Sequence, residues 1–361
     1  MISSGMSVPT SFTLLERVPL AEHTSIRLGG PARRLAVCAD EAQVRECLDW
    51  ARGEGAPVQV LGGGSNILFP DSGFAGVVLK VGIPGLEFSE ESESWLVRAG
   101  AGESWDGLAA AAAARGLQGV ECLSGIPGSV GATPVQNVGA YGQELADTLV
   151  SVSALDRETL ETAVLDRGEC GLGYRTSRFK GVDRDRWIIL AITLRLRPGG
   201  RPALGYPELA AQFPGGGVPE GEAGIAAVRE AVLRLRRSKS MVLDPGDPDS
   251  VSVGSFFTNP ILGAEALAAF RKRVRNEGDG MAPPAFTAVG GTKIPAAWLI
   301  EKAGFPKGLR KGGVGVSSKH ALALVNYGGS TAELRSLASD IQAAVLARFG
   351  VSLELEPVVV R

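Results

Sequence analysis

Histidine is nearly absent: the 361 residues hold two, His23 and His320. That argues against a multi-histidine metal centre, and a Ser–His–Asp triad would have to use one of these two. Cysteine is as sparse, with four residues (Cys38, Cys47, Cys122 and Cys170) in no CxxC or other metal-type spacing. Such usage fits reduced thiols in a cytoplasmic protein. A basic excess is missing too: the formal net charge is −2, which argues against a nucleic-acid surface and against polybasic membrane attachment. No apolar run approaches the roughly 20 residues that span a bilayer. The opening stretch MISSGMSVPTSFTLLERV lacks the basic and apolar regions of a signal peptide. Neither a Walker loop nor a GxGxxG fingerprint occurs, which disfavours Rossmann-type NAD binding. No internal repeat or low-complexity tract is found.

Glycine is plentiful, at 49 residues. In that number it marks tight turns or backbone lying close to something else. The length suggests two or three domains at about 150 residues each, and 45% hydrophobic residues supply ample core material.

Residues 33–81 read as strand, helix, strand, loop, strand. Asp40 and Gln43 resemble a capping box, and Val44, Cys47, Leu48 and Ala51 fall on one helical face. VQVL (58–61) and GVVLKV (76–81) read as strands. Residues 95–197 form a second mixed unit, with a helix between Ser104 and Gly116 and strands at 148–155 and 187–197. Its segment 117–146 has no convincing period, and a loop of that length is usually functional or disordered. Pro and Gly density marks 198–224 as a linker or large surface loop, followed by a helix at about 225–237. The last unit, 250–349, holds the strand VSVGSFF, a helix from Pro295 to Gly304, the strand HALALVN and a helix with Ser330 and Glu333 as a capping box. Leu334, Leu337, Ile341 and Val345 share a face of that helix. VSLELEPVVV reads as a closing strand, and 275–291 as a long surface loop.

Five stretches carry chemistry. LGGGSNIL (61–68) leaves a strand with three glycines, whose N–H groups can form an anion nest or simply make a tight turn. SGIPGSVGATPVQNVGAYGQE (124–144) repeats this on a larger scale: Ser129, Val130, Gly131 and Ala132 can line a pyrophosphate and Asn137 a ring or ribose, or the segment is an irregular core loop. Two such loops in neighbouring α/β units favour a shared diphosphate ligand. In GLGYRTSRFK (171–180), Tyr174 and Arg175 stand beside Arg178 and Lys180; an arginine there stabilises developing negative charge or belongs to a solvated turn. In VGSFFTNP (253–260), Ser255 is either a small core residue or faces a ligand. In LELEPVVV (353–360), Glu354 and Glu356 alternate onto one face, wet or paired.

Taken together, HTSIRLGGPA, LGGGSNIL, GIPGSVGATPVQNVGAYGQE, GYRTSRFK, GSFFTNP, AAWLIEKAG and LEPVVV resemble, in order, the UDP-N-acetylenolpyruvoylglucosamine reductase family. The resemblance runs from about residue 18 to the C-terminus. It implies an α+β protein: a two-lobed FAD-binding module of the vanillyl-alcohol-oxidase type plus a separate α+β substrate-binding domain. The expected regions are 1–83 with strand 350–361, then 84–240 with a tyrosine loop at 198–224, then 241–349.

By this resemblance FAD is held non-covalently by Leu61, Gly62, Gly63, Gly64, Ser65, Asn66, Ile67, Gly125, Ile126, Pro127, Gly128, Ser129, Gly131, Ala132, Asn137, Gly139 and Tyr141. NADPH reduces the flavin, whose N5 then gives hydride to C3 of the enolpyruvyl group. Ser255 is implied as the proton donor to C2, with Arg175 and Glu356 polarising the substrate carboxylate. Tyr174, Tyr206, Lys239, Asn259 and His320 fall where the family contacts its UDP-sugar. His23 departs from the asparagine common in the family's NTS motif. A cytoplasmic monomer in peptidoglycan synthesis is expected, with no metal, nucleic acid or membrane partner. The rival readings are an alcohol or hydroxy-acid oxidase on the same flavin module and a flavin- or nucleotide-sugar-binding protein without activity.

Overall fold

Caps set the ends of the principal helices. Asp40 accepts the Gln43 N–H at 2.8 Å while Gln43 accepts the Ala39 N–H at 2.7 Å, a reciprocal pair at a helix start. Ser330 and Glu333 do the same further on, at 3.1 and 2.8 Å. Gly350 closes that later helix with a φ of 69°, a conformation glycine adopts without a Cβ penalty. The structure, a computed structural model, describes residues 11–361 apart from 201, 203 and 277–281. The reading of the first ten residues and part of the expected 275–291 loop lie outside the described residues.

The described helices in chain order are α1 (Glu41–Gly53), α2 (Trp105–Ala113), α3 (Pro207–Ala210), α4 (Gly221–Ser238), α5 (Ala264–Asn276), α6 (Ala296–Lys302) and α7 (Thr331–Phe349). None of them is long and apolar enough to cross a membrane.

The chain forms two interleaved units. The first takes residues up to Val18, Pro31–Gly64 and Phe74–Ser238. It contains two large sheets and a short pairing of Gly139–Ala140 with Gln143–Glu144. One orders its strands Thr13–Pro19, Pro31–Cys38, Phe74–Val81 and Val58–Leu61, and the last three run parallel. Val44, Cys47, Leu48 and Ala51 of α1 are buried in its core beside Val77 and Leu79. The other is antiparallel, ordered Thr162–Asp166, Leu149–Asp156, Trp187–Pro198, Ser94–Gly100 and Leu86–Glu91. Trp105, Leu108, Ala109 and Ala112 of α2 fill its core.

The second unit takes Pro19–Gly30, Ser65–Gly73 and Lys239–Arg361. Its main sheet orders Ser252–Ser255, Ala323–Asn326, Val314–Val316 and Arg310–Lys311, all antiparallel. Leu334, Leu337, Ile341 and Val345 of α7 pack into one core with Phe256, Phe257, Ile26 and Leu68.

Several expectations are corrected. The segment 198–224 is not structureless: Tyr206 and Pro207 start α3, where the fixed φ of proline suits a first helical position. The helix placed at 225–237 begins at Gly221. Helix α5 was not foreseen, and residues 286–288 expected in a loop form a strand paired with Gly291–Lys293. The closing strand is the largest correction. Regular pairing is confined to Val358–Val359, parallel to Ile67–Leu68 within the second unit. Upstream, Glu354 is exposed and Glu356 buried, so the two do not share a face. Pro357 has no N–H to continue a ladder, which breaks the period-2 pattern.

Ser330→Ala removes one half of the α7 capping box. The expected cost is about 1 kcal/mol of stability, measured by chemical denaturation; an unchanged midpoint would show that packing alone sets the helix start.

Candidate active site

In the first unit the strand Val58–Leu61 delivers the chain into Gly62–Gly64. These glycines lie against the second glycine segment. A Cβ added to Gly63 would meet the Gly128 Cα at 2.6 Å, and one added to Gly62 would meet the Ser129 Oγ at 2.5 Å. Real Cβ atoms do not approach so closely, so only glycine permits this backbone-to-backbone contact. Ser129 reinforces it, its Oγ accepting the Gly63 N–H at 3.1 Å. The second segment is itself anchored from α2 and α4. The buried Trp105 indole donates to the Leu123 carbonyl at 3.0 Å. Asp106 accepts the Gly125 N–H at 2.6 Å and both Arg229 guanidinium nitrogens at 2.6 and 3.1 Å. Burial works against the Asp106 charge, but Arg229 and the Gly125 N–H outweigh it and hold the carboxyl below its ordinary range.

The backbone donors divide cleanly. Val130 N–H goes to Glu103, Gly131 N–H to Ala101 and Ala132 N–H to Ser129. Among the described residues none accepts the N–H of Gly64, Gly128 or Ser129. The donors left over are thus in the earlier part of the second segment and at the end of the first, rather than in the 130–132 stretch. Leu61 and Ile67 bury their side chains in the cores. Asn137 is committed within the protein. It is fully buried; its amide donates to Glu144 at 2.7 Å and to the Gly173 carbonyl at 3.1 Å, and its oxygen accepts the Ala146 N–H at 2.9 Å. These bonds fasten the loop.

Tyr174 and Arg175 are the two central residues of a tight turn closed by Gly173 N–H to Thr176 O at 3.0 Å and Thr176 N–H to Gly173 O at 3.2 Å. Arg175 takes a φ of 52°, a position that ordinarily goes to glycine or asparagine. Strain of this kind persists where the surroundings dictate it and clusters at functional sites. Its guanidinium donates to the Gly139 carbonyl at 2.9 Å and lies 5.6 Å from the Tyr174 ring centroid. Arg178, by contrast, pairs with Asp183 at 2.7 Å, and Lys180 donates to the Arg175 carbonyl at 3.1 Å, so these two cations brace the turn. Tyr206 packs edge-on against Tyr141, with centroids 5.4 Å apart, and keeps 42% exposure. Burial pushes the Tyr141 hydroxyl up to about 12. Burial lowers Arg236 on α4 to about 10; Tyr141 and Asp106 pull it back up, and the Arg175 charge adds to the depression.

In the second unit Ser255 ends the strand Ser252–Ser255, beside Gly254 at a φ of 72° and a break in register with Ala323. Phe256 and Phe257 are fully buried behind it. The Ser255 side chain is half-buried, and no hydrogen bond joins its hydroxyl to a described residue. The Glu356 N–H donates to the Phe256 carbonyl at 3.0 Å, and the Thr258 N–H donates to the Glu354 carbonyl at 3.0 Å. Ser255 and Glu356 therefore sit on adjoining backbones. Asn66 donates its amide to the Glu356 carbonyl at 3.3 Å, and Ser65 and Asn66 lead into the strand paired with Val358–Val359. The Asn259 oxygen accepts the Ala296 N–H at the start of α6, at 2.8 Å. Lys239 and His320 flank a hydrogen-bonded cluster of aspartates and serines in the same unit.

Comparison with known proteins completes the picture. A family model described as UDP-N-acetylenolpyruvoylglucosamine reductase, C-terminal domain, matches residues 247–360, and one described as FAD binding domain matches 32–159. A UDP-N-acetylenolpyruvoylglucosamine reductase of Thermobifida fusca is 48% identical over 358 residues, covering 97% of this chain and 98% of its own.

The chain belongs to the UDP-N-acetylenolpyruvoylglucosamine reductase family.

It is an FAD-dependent oxidoreductase. The Streptomyces avermitilis reductase is 46% identical over 354 residues, covering 96% of this chain and 94% of its own. The crystal structure of the Thermus caldophilus reductase superposes with a TM-score of 0.65 at 24% identity, covering 97% and 99% of the two chains, which shows a shared fold. The glycine turns fit the flavin nucleotide: the N–H groups of Gly64, Gly128 and Ser129 have no acceptor among the described residues, a donor set suited to phosphate oxygens.

Trp105, Asp106, Arg229 and Arg236 were not singled out from the sequence. Asp106 reads there as an acid favoured in a first helical turn, and its role in holding Gly125 depends on a partner 123 residues away.

In this reductase Gly63→Ala must push the two glycine segments apart. Purified variant protein is expected to retain less FAD per chain by absorbance, while Gly263→Ala, with nothing within 4 Å of its added Cβ, retains the wild-type amount. Full flavin content in Gly63→Ala would contradict the packing account.

Proposed function

We propose that this chain reduces the enolpyruvyl ether of UDP-N-acetylglucosamine to UDP-N-acetylmuramate in peptidoglycan synthesis, with NADPH as the electron source and FAD held without a covalent bond. The observation that carries this reading is the half-buried Ser255 hydroxyl, without a hydrogen-bond partner among the described residues, on a backbone hydrogen-bonded to that of Glu356. Elsewhere in a core such a hydroxyl would be satisfied within the protein.

Bound FAD, once reduced, supplies the hydride for C3 of the substrate. Charge then develops at C2 and on the substrate carboxylate, and the Arg175 guanidinium is the group suited to stabilise it. Ser255 gives its proton to C2; a neutral hydroxyl is a weak acid, and a strongly basic enolate is the base it can serve at close range. Glu356 orients the same end of the substrate. Tyr174, Tyr206, Lys239, Asn259 and His320 hold the UDP-sugar, with the Asn259 oxygen engaged on α6 so that its amide is the group offered.

Gly64, Gly128 and Ser129 hold the flavin nucleotide through backbone N–H groups, while Gly62 and Gly63 bring the two segments together. Neither histidine lies on a glycine turn, which supports non-covalent attachment. The four cysteines are all free and buried, which fits a reducing cytoplasm. We assign the working form as a monomer, and the net charge of −2 supports the absence of a nucleic-acid partner.

Stopped-flow absorbance separates the two half-reactions. Ser255→Ala is expected to keep NADPH bleaching of the flavin and to slow re-oxidation by the enolpyruvyl substrate by a factor of 100 or more, the order that general acids contribute, about 10²–10⁴. Unimpaired re-oxidation would remove Ser255 from the mechanism. Arg175→Lys is expected to be impaired as well, because an ammonium lacks the planar fork.

A further inference from the structure

The stretch KSMVLDPGDPDS (239–250) carries three aspartates that the chemistry above does not use. Two of them converge on one distant turn. The Asp247 carboxylate accepts the Ser240 hydroxyl at 2.6 Å, the Lys319 ammonium at 2.8 Å and the Asp249 N–H at 3.1 Å. Asp249, 5% exposed, accepts the Ser317 hydroxyl at 2.9 Å, the Ser318 N–H and hydroxyl at 2.7 Å each, and the Tyr327 hydroxyl. Ser317 in turn accepts the N–H groups of Lys319 at 3.1 Å and His320 at 3.3 Å.

Both ends of this cluster abut residues read as substrate contacts. Ser240, one residue after Lys239, is held at a φ of 56° and is nearly fully buried. His320 is the next residue after Lys319, and its carbonyl accepts the Ala323 N–H at 3.0 Å. Ala323 is the partner of Ser255 across the sheet, and the Phe256 N–H donates to Leu322 at 2.8 Å. Burial works against both carboxylate charges. Lys319 and Ser240 at Asp247, and Tyr327, Ser318 and Ser317 at Asp249, more than offset it and hold both groups below the usual carboxylate range.

We propose that Asp247 and Asp249 are positioning residues: a carboxylate clasp that fixes the backbone after Lys239 to the turn bearing His320 and so sets the spacing of these two side chains for the UDP-sugar. The proposal rests on the reading that Lys239 and His320 contact that substrate. Ionised acceptors make stronger and more directional bonds than neutral ones, which suits a clasp between two loops. The clasp acts through other residues, so it affects substrate binding and leaves the chemical step to Ser255.

The test uses the FAD-loaded full chain. Titration calorimetry of the oxidised enzyme with the UDP-sugar substrate gives the affinity, and steady-state kinetics separates KM from kcat. Asp247→Asn and Lys319→Ala are expected to weaken binding and raise KM about tenfold or more, with kcat changed less than KM. Lys319→Arg restores much of the loss, because it keeps the ion pair. The double variant Lys239→Ala with Asp247→Asn is expected to lose less affinity than the sum of the two single losses, since residues acting as a unit are not additive. Lys319 is 41% exposed along its side chain, so its replacement leaves the fold in place even where Asp247→Asn does not fold. Wild-type affinity in Lys319→Ala, with Lys239→Ala weakened, would overturn the clasp. Wild-type affinity in both Lys239→Ala and His320→Ala would overturn the substrate-contact reading itself.

Discussion

Two backbone hydrogen bonds, from Glu356 to Phe256 and from Thr258 to Glu354, set Ser255 and Glu356 on adjoining backbones, and the proposed chemistry of the second unit depends on them. They tie the tail of the chain to the strand that ends at Ser255. The fully buried Phe256 and Phe257 lock that strand from behind, so the preceding hydroxyl is left at the edge of the core instead of inside it. Asn66 and the pairing of Val358–Val359 with Ile67–Leu68 extend the same junction within the second unit. Removing the tail would therefore disturb a serine about a hundred residues earlier and the strand Ile67–Leu68 nearly three hundred residues earlier.

Glycine serves two separate ends in the first unit. At Gly62 and Gly63 it lets two chain segments touch, because a Cβ there would strike Ser129 or Gly128. At Gly64 and Gly128 a positive φ turns the backbone so that N–H groups point away from the protein's own acceptors. The first use builds the cradle and the second gives it a charge preference. Asp106 and Trp105 then hold the cradle's far side from a helix whose apolar face is already committed to the core. Where the chain departs from favourable local geometry, as at Arg175, the departure carries a guanidinium at the tip of a two-residue turn.

Much of this was legible in the sequence. Local signals were sufficient where structure is set by neighbours: the caps of α1 and α7, the glycine stop near residue 116, and the buried faces of both helices. The family resemblance singled out Ser255, Arg175 and Glu356. Long-range bonds were not legible. Alternation in LELEP suggested a strand with Glu354 and Glu356 on one face; Pro357 and the pairing with residues 256–258 impose a different path. Asn137 reads as a ligand contact because polar residues in glycine loops often are, yet Glu144, Gly173 and Ala146 use its whole side chain. Helix α5, Ala264–Asn276, was not read from the sequence. The clasp of Asp247 and Asp249 depends on Ser317–Lys319, some seventy residues away, and no spacing rule reaches that far.

The most direct test of the central claim is a crystal structure of the oxidised, FAD-loaded enzyme with the enolpyruvyl UDP-sugar, which an oxidised flavin has no hydride to reduce. The account predicts the Ser255 Oγ at reacting distance, about 3–3.5 Å, from C2 of the substrate, with Glu356 beside the same group. A substrate whose C2 lies out of reach of that hydroxyl, or a Ser255 side chain turned toward Phe256 and Phe257, would contradict it.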